Sequence, residues 1–363
     1  MPPHLFVDIS SHGFGHLSQV APVLTKLRQH LPALRLTIRS GLSHDRLHCR
    51  IAEPFTHIES ASDFGFVMHN AVDIDFAASA ERYRRAHIDW ETKVGEDAML
   101  LRRLNVNAVF ANAAYRPLAA ASQAGIYSIG MCSLNWADLF AHYFAAESWA
   151  TVLHQQILAA YNAANEFLCV TPGMPMHAFP NRRVIGPVAA VLPDDPLRRQ
   201  TLATTLHIDP NTRWVLVAMG GMEFRLPVES WPAIDGTIWL CPFAWNVQRA
   251  DVVAFDAPSR RIGFNELLAT TDVVLTKPGY GTFVEAACHG TPVLYVPRED
   301  WPEEAPLTQW LHTHNRALAV TRQQLMAGEL AEPLAAIDAM PLRSRPAPLG
   351  IADAARRLLE RLT

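Results

Sequence analysis

The chain has 363 residues, half of them hydrophobic and 18% charged, which excludes a disordered protein and favours two cored domains. A net charge of −4, a pI near 6.5 and the lack of a basic run or RNA-binding signature argue against a nucleic-acid partner. No charged and apolar leader opens the sequence, and no run reaches the roughly 18 apolar residues that span a bilayer; the expectation is a cytoplasmic protein, with peripheral membrane contact left open.

Residues 5–9 read as a buried strand, followed by Ser11-His12-Gly13-Phe14-Gly15-His16 and an amphipathic helix whose apolar face carries Leu17, Val20, Val23, Leu24 and Leu27. Residues 34–39 alternate into a second strand. The glycine loop therefore ends a first parallel strand, where ligands sit in open α/β sheets. His12 and His16 are candidate site residues on that loop. The plainer readings are a solvated loop histidine for His12 and a helix-start residue packed on its own turn for His16. Two ligands on a glycine loop are too few for a metal. His44, His48 and Cys49 have ligand-like spacing, but the same letters read as an exposed helix start.

Residues 52–104 are less periodic. The Asp73-Ile74-Asp75 pair ends no strand and is read as incidental, and residues 77–103 are expected to be helical. Strands are expected at 106–111 and 126–131, and Asp138 follows the second. A long helix is expected over 140–165, then strands at 166–171 and 184–188, and a linker with a short helix over 193–206. The five cysteines are scattered and odd in number, and are read as buried thiols of a reducing compartment.

The second half opens as the first does. A buried strand at 213–219 runs into Gly220-Gly221-Met222-Glu223, and strands at 237–240 and 252–255 follow. Residues 272–276 then form a strand that enters Pro278-Gly279-Tyr280-Gly281, a helix with Phe283, Val284, Ala286 and Ala287, and a further strand at 293–296. A glycine turn feeding a helix N-terminus offers free N–H groups and a partial positive charge to an anion. Two readings of Glu285 stand side by side. With Thr282 it fits a T-x-x-E capping box, and it could also accept both hydroxyls of a ribose whose phosphates sit on the turn. The chain ends in a helix within 346–363.

Residues 262–297, with their glycine turn and F-N-E-L-L helix, resemble the nucleotide-sugar-binding part of two-domain GT-B glycosyltransferases. The S-H-G-F-G-H loop resembles the G-x-G-H loop of the same enzymes, among them the lipid II-forming N-acetylglucosaminyltransferase and the UDP-glycosyltransferases. More similar still is the glycosyltransferase-like half of L-arabinokinases, with its G-H-G-F-G-H loop and later K-x-G-Y-G-T turn.

That resemblance implies an α/β fold of two Rossmann-like domains facing across a cleft. Residues 1–190 would form the acceptor side, 191–345 the nucleotide-sugar side, and 346–363 a helix packing back on the first domain. It implies a metal-independent, inverting transferase with a nucleotide-diphosphate sugar as co-substrate, UDP-sugar by default, and no other cofactor. The acceptor would be a small molecule, a glycan or a lipid-linked sugar. The base would lie near Phe264 and the ribose on Glu285. The diphosphate would lie on Gly220, Gly221, Gly279, Tyr280, Gly281 and Thr282, and the sugar against Glu303 or Glu304. Gly13 and Gly15 would let ligands approach the first loop. His16 would act as base, with His12 beside it. Relatives often place an aspartate where this chain has Asn112, and Asp138 is the substitute carboxylate; its plainer reading is a helix-start charge. The alternatives are a nucleotide-sugar epimerase or hydrolase, or a non-catalytic binding module, since in L-arabinokinases this half accompanies a sugar-kinase half.

Overall fold

Strands buried on both faces read as continuous apolar runs, and such runs form parallel sheets covered by helices on each side. A computed structural model describes residues 2–221, 224–257 and 262–363; Met222 and Glu223 of the second glycine turn lie outside them. The chain divides into two units. One comprises Met1–His69, Ile74–Ala189 and Pro348–Thr363, the other Asn70–Asp73 and Ala190–Ala347.

The first unit runs β1 (His4–Ile9), α1 (Gly15–His30), β2 (Arg35–Ser40), α2 (His44–His48), β3 (Thr56–Glu59), α3 (Phe76–His87), α4 (Trp90–Leu104), β4 (Ala108–Asn112), α5 (Arg116–Ala124), β5 (Tyr127–Cys132), α6 (Trp136–Phe144), α7 (Ala150–Asn162), β6 (Glu166–Val170) and β7 (Arg182–Ile185). All seven strands are parallel, in the order β3-β2-β1-β4-β5-β6-β7. The central β1 is buried along its whole length.

Two expected helices are each broken in two. The segment 77–103 is α3 and α4, separated where Asp89 takes a left-handed φ of 53°. The segment 140–165 is α6 and α7, because the chain turns to lay Trp149 against Phe140 and Phe144, with ring centroids 5.8 and 5.4 Å apart. Asp75 is the N-cap of α3, accepting from the Ala78 N–H at 2.9 Å. The edge strand β3 left no apolar alternation to find.

The second unit runs α8 (Arg198–Leu206), β8 (Arg213–Ala218), β9 (Thr237–Cys241), β10 (Val252–Ala254), α9 (Phe264–Leu268), β11 (Val273–Thr276), α10 (Tyr280–His289), β12 (Val293–Tyr295), α11 (Glu304–His314), β13 (Ala317–Ala319), α12 (Arg322–Ala327) and α13 (Ala331–Asp338). Its six parallel strands are ordered β10-β9-β8-β11-β12-β13. The N-cap of α10 is Gly279, not Thr282. Thr282 is thus the third helical residue and Glu285 lies in the second turn, so the T-x-x-E capping box does not form.

The last helix, α14 (Gly350–Leu362), belongs to the first unit and packs on α1. Glycine is required where it docks: a Cβ at Gly350 would stand 2.1 Å from the Gly186 carbonyl oxygen. The Gly350 N–H donates to Pro187 O at 2.9 Å. Among the described residues no helix is long and apolar enough to cross a membrane.

Candidate functional site

In an open parallel sheet the crevice for ligands forms where the strand order reverses, at the carboxyl ends of the strands. The reversal falls between β1 and β4 in the first unit and between β8 and β11 in the second. The carboxyl end of β1 leads into the His12–His16 loop, and β4 ends at Asn112.

His16 is buried, and its Nδ1 lies 2.8 Å from Asn112 Oδ1. The Asn112 amide is oriented by its neighbours: its Nδ2 donates to Gln19 Oε1 at 2.9 Å, and Gln19 Nε2 donates to Ser133 Oγ at 2.9 Å. With Oδ1 facing the imidazole, a proton on Nδ1 completes the bond and leaves the lone pair on Nε2; Cys132 Sγ lies 3.6 Å from the same Nδ1. Burial lowers the His16 pKa to about 4, against the smaller opposing effect of the Asn112 hydrogen bond. At neutral pH the ring is uncharged, an acceptor of protons with weak basicity.

A carboxyl that the sequence did not advertise stands beside this pair. Asp63 is buried, and its Oδ2 accepts from Trp136 Nε1–H at 2.6 Å. The Trp136 indole meets the rings of His12 and His16 edge-on, with centroids 5.2 and 5.8 Å apart. Gly65 closes the group: it has φ +64°, and a Cβ there would stand 2.7 Å from Trp136 and 2.8 Å from the His12 ring. Burial, and then the charge of Asp8, push the Asp63 pKa up to about 7; hydrogen bonds from Ser10 and Trp136 and the charge of Arg116 only partly offset this.

In the second unit Gly220 follows β8 with φ +91°, and Gly279 precedes α10. The strand ends are tied together by Thr276 Oγ1, which donates to Ala218 O at 2.6 Å. Lys277 sits between the two turns. Its Nζ lies 3.8 Å from the point a Cβ would occupy at Gly220 and 3.8 Å from the same point at Gly279. Burial, reinforced by Arg298, lowers its pKa to about 7, while Glu303 and Glu304 act in the opposite direction. The N-terminus of α10, two glycine surfaces and a lysine amine thus meet at one strand end, a combination suited to phosphate oxygens.

No family model matches the chain. It is 26% identical to an L-arabinokinase of Arabidopsis thaliana over 330 residues, covering 88% of this chain and 31% of that protein. It is also 26% identical, over 157 residues, to an uncharacterized glycosyltransferase of Methanopyrus kandleri, covering 41% of this chain and 44% of that one. The chain therefore spans less than half the length of either relative. The solved glycotransferase of kitacinnamycin superposes with a TM-score of 0.62 at 14% identity, covering 100% of both chains. A UGT transferase of Siraitia grosvenorii in complex with UDP superposes with a TM-score of 0.54 at 11% identity, covering 99% of both. The chain has the GT-B fold.

Within that GT-B frame, the structure distributes the anticipated residues unevenly. His12, Gly13, Gly15 and His16 share the β1 loop, and Gly220, Gly221 and Gly279 to Thr282 share the second switch point. Tyr280 is buried beneath its turn and Glu285 is 1% exposed. Phe264 opens α9 half-buried. Asp138 takes its plainer role: its N–H donates to Asn135 Oδ1 and its Oδ2 accepts from Asn135 Nδ2, both at 2.8 Å, in the cap of α6. The partner of His16 is Asn112. Glu304 Oε2 accepts from the Arg298 N–H at 2.7 Å, and Glu303 Oε2 from Trp301 Nε1–H at 3.2 Å, so both brace the loop before α11.

Lys277 was legible as a basic residue joining a strand to a glycine turn. Asp63 was not, because nothing periodic marks its segment. His44 Nε2 and His48 Nδ1 lie 3.0 and 3.8 Å from the same Glu53 Oε1 on the surface. Among the described residues no group of three or more His, Cys, Asp or Glu could hold a metal ion. All five cysteines are free thiols, and Cys49, contrary to expectation, is exposed, because α2 buries only Leu47.

Proposed function

We propose that this GT-B chain is a glycosyltransferase that moves a sugar from a nucleotide-diphosphate sugar to an acceptor hydroxyl. The observation that carries the reading is the pair of chemically different switch points: a neutral histidine with an available Nε2 in the first unit, and glycine turns converging on a lysine in the second. The first suits a hydroxyl that must lose a proton. The second suits a leaving diphosphate.

The donor would lie on the second unit, with its base near Phe264, its ribose on Glu285 and its phosphates along Gly220, Gly221 and Gly279 to Thr282. Glu303 or Glu304 would meet the sugar. The acceptor, a small molecule, a glycan or a lipid-linked sugar, would lie at His12 and His16, with Gly13 and Gly15 of the same loop available to the co-substrate. As the acceptor oxygen attacks the anomeric carbon, its proton passes to His16 Nε2 and the bond to the diphosphate oxygen breaks. One such displacement inverts the anomeric centre. The dipole of α10 supports the charge on the leaving group without a metal. UDP-glucose is the first donor to test, since a fold neighbour binds UDP. Five free thiols fit a reducing, cytoplasmic compartment.

One observation favours a second reading. Asn112 cannot stabilise an imidazolium as a carboxylate does, and His16 is a weak base. A module that binds the nucleotide sugar without transferring it would tolerate both. Thermal shift against UDP-, dTDP-, GDP-, CDP- and ADP-glucose tests the donor site, because a ligand of the native state raises its melting temperature. Donor consumption over a panel of acceptors then separates the two readings. A shift with no consumption supports the module, and no shift with any of the five overturns both.

A further inference from the structure

Lys277 is the charged side chain at the second switch point that the anticipated donor contacts leave unused. It follows Thr276, the last residue of β11, and its Nζ lies 3.8 Å from the point a Cβ would occupy at Gly220 and at Gly279 alike. The tie from Thr276 Oγ1 to Ala218 O holds those strand ends in place, so the convergence does not depend on one loop. Among the described residues, the charges acting on Lys277 are Arg298 in the loop after β12, Glu303 at the N-cap of α11 and Glu304 in its first turn. Glu304 is anchored on the Arg298 backbone, Glu303 accepts from the Trp301 indole, and the Arg298 guanidinium lies 3.9 Å from the centre of the Trp301 ring. Both carboxylates are thus held by their own loop, and the like charge of Arg298 works against the ammonium.

We propose that Lys277 grips the donor diphosphate and takes up a proton as it does so, which makes donor affinity fall as the solution becomes alkaline. The inference rests on the donor reading above. In the free protein burial and Arg298 hold the ammonium near half-protonation at neutral pH. A diphosphate diester brings two negative charges that do not titrate near neutrality. Placed beside the amine, it restores the protonated form, and the proton comes from solvent. Glycine at both turns leaves the surface beside the amine open: a Cβ at Gly220 would stand 3.4 Å from Lys277 Cε, and one at Gly279 3.8 Å from Nζ.

The test is titration calorimetry with UDP-glucose, or with whichever of the dTDP-, GDP-, CDP- and ADP-glucose set binds, in buffers of different ionisation enthalpy. The expected result is net proton uptake at pH 7.5 and a Kd that rises by up to about tenfold per pH unit above neutrality. Lys277→Met should abolish the uptake and weaken binding at pH 6.5 by about tenfold or more. Lys277→Arg keeps a fixed charge and should flatten the pH dependence. Binding by the wild-type protein with no proton uptake overturns the inference and leaves the donor reading standing. So does unchanged uptake in a folded Lys277→Met protein. Absence of binding by all five sugar nucleotides at any pH overturns both.

Discussion

Nδ1 of His16 lies 2.8 Å from Oδ1 of Asn112, a buried contact between residues 96 positions apart that leaves Nε2 as the free nitrogen of a neutral ring. An aspartate here would supply the same geometry with a negative charge. Asn112→Asp should raise the His16 pKa by about 1–3 units, since a carboxylate favours the imidazolium. NMR titration of the His16 ring checks this. An unmoved pKa would mean that burial alone controls the ring.

His16→Ala removes the proposed base. Transfer should fall by about 10²–10⁴-fold once a donor and acceptor are in hand. Affinity for the donor alone should not change, because His16 is not among the proposed donor contacts. Unchanged turnover would remove His16 from the chemistry.

Asp63 makes stability depend on pH in a stated direction. Its folded pKa of about 7 lies above the ordinary 3.8, so its contribution is fully present below 3.8 and lost as pH rises to about 7. The loss runs at about 1.4 kcal/mol per pH unit within that window. His16 acts oppositely: its contribution is present above 6.5 and lost as pH falls toward 4. Asp63→Asn removes one of the two. Urea unfolding of this variant should show stability relative to wild type climbing between about pH 4 and 7 and levelling above. A pH-independent difference would contradict the shift.

Glu285 is 1% exposed in the second turn of α10 and does not cap that helix. Replacing it with alanine should weaken nucleotide-sugar binding by about tenfold, the effect of losing one charged hydrogen-bonding partner. Calorimetry gives the answer directly, and full affinity would end the ribose assignment.

Gly350→Ala places a methyl where the Gly186 carbonyl already stands. Backbone cannot yield as a side-chain tip does, so α14 must shift on α1. A loss of about 1–3 kcal/mol is expected in urea unfolding, and an unchanged midpoint would show that α14 contributes little to the first unit.

Much of the fold was legible because its signals are local. The runs that became β1, β8 and β11 are apolar without alternation, and glycine follows each within a few residues. The edge strands β3 and β13 carried no such signal, for an edge needs little burial and little length. The Thr282 cap failed for a different reason. Gly279 is extended, at φ −168° and ψ 133°, and lets α10 begin three residues earlier than the T-x-x-E pattern suggests.

The sequence by itself determined that two strand–glycine–helix units exist, because periodicity, glycine and helix ends act over a few residues, and it raised the expectation that each receives an anion or a polar ligand. Only the tertiary structure decided what meets what. Strand order brought Asn112 rather than Asp138 to His16, set Asp63 under Trp136, and drew Gly220 and Gly279 to either side of Lys277. Those contacts come from parallel pairing between strands far apart in the chain, and the burial that shifts these groups' proton affinities exists only after the sheets and helices have closed over them.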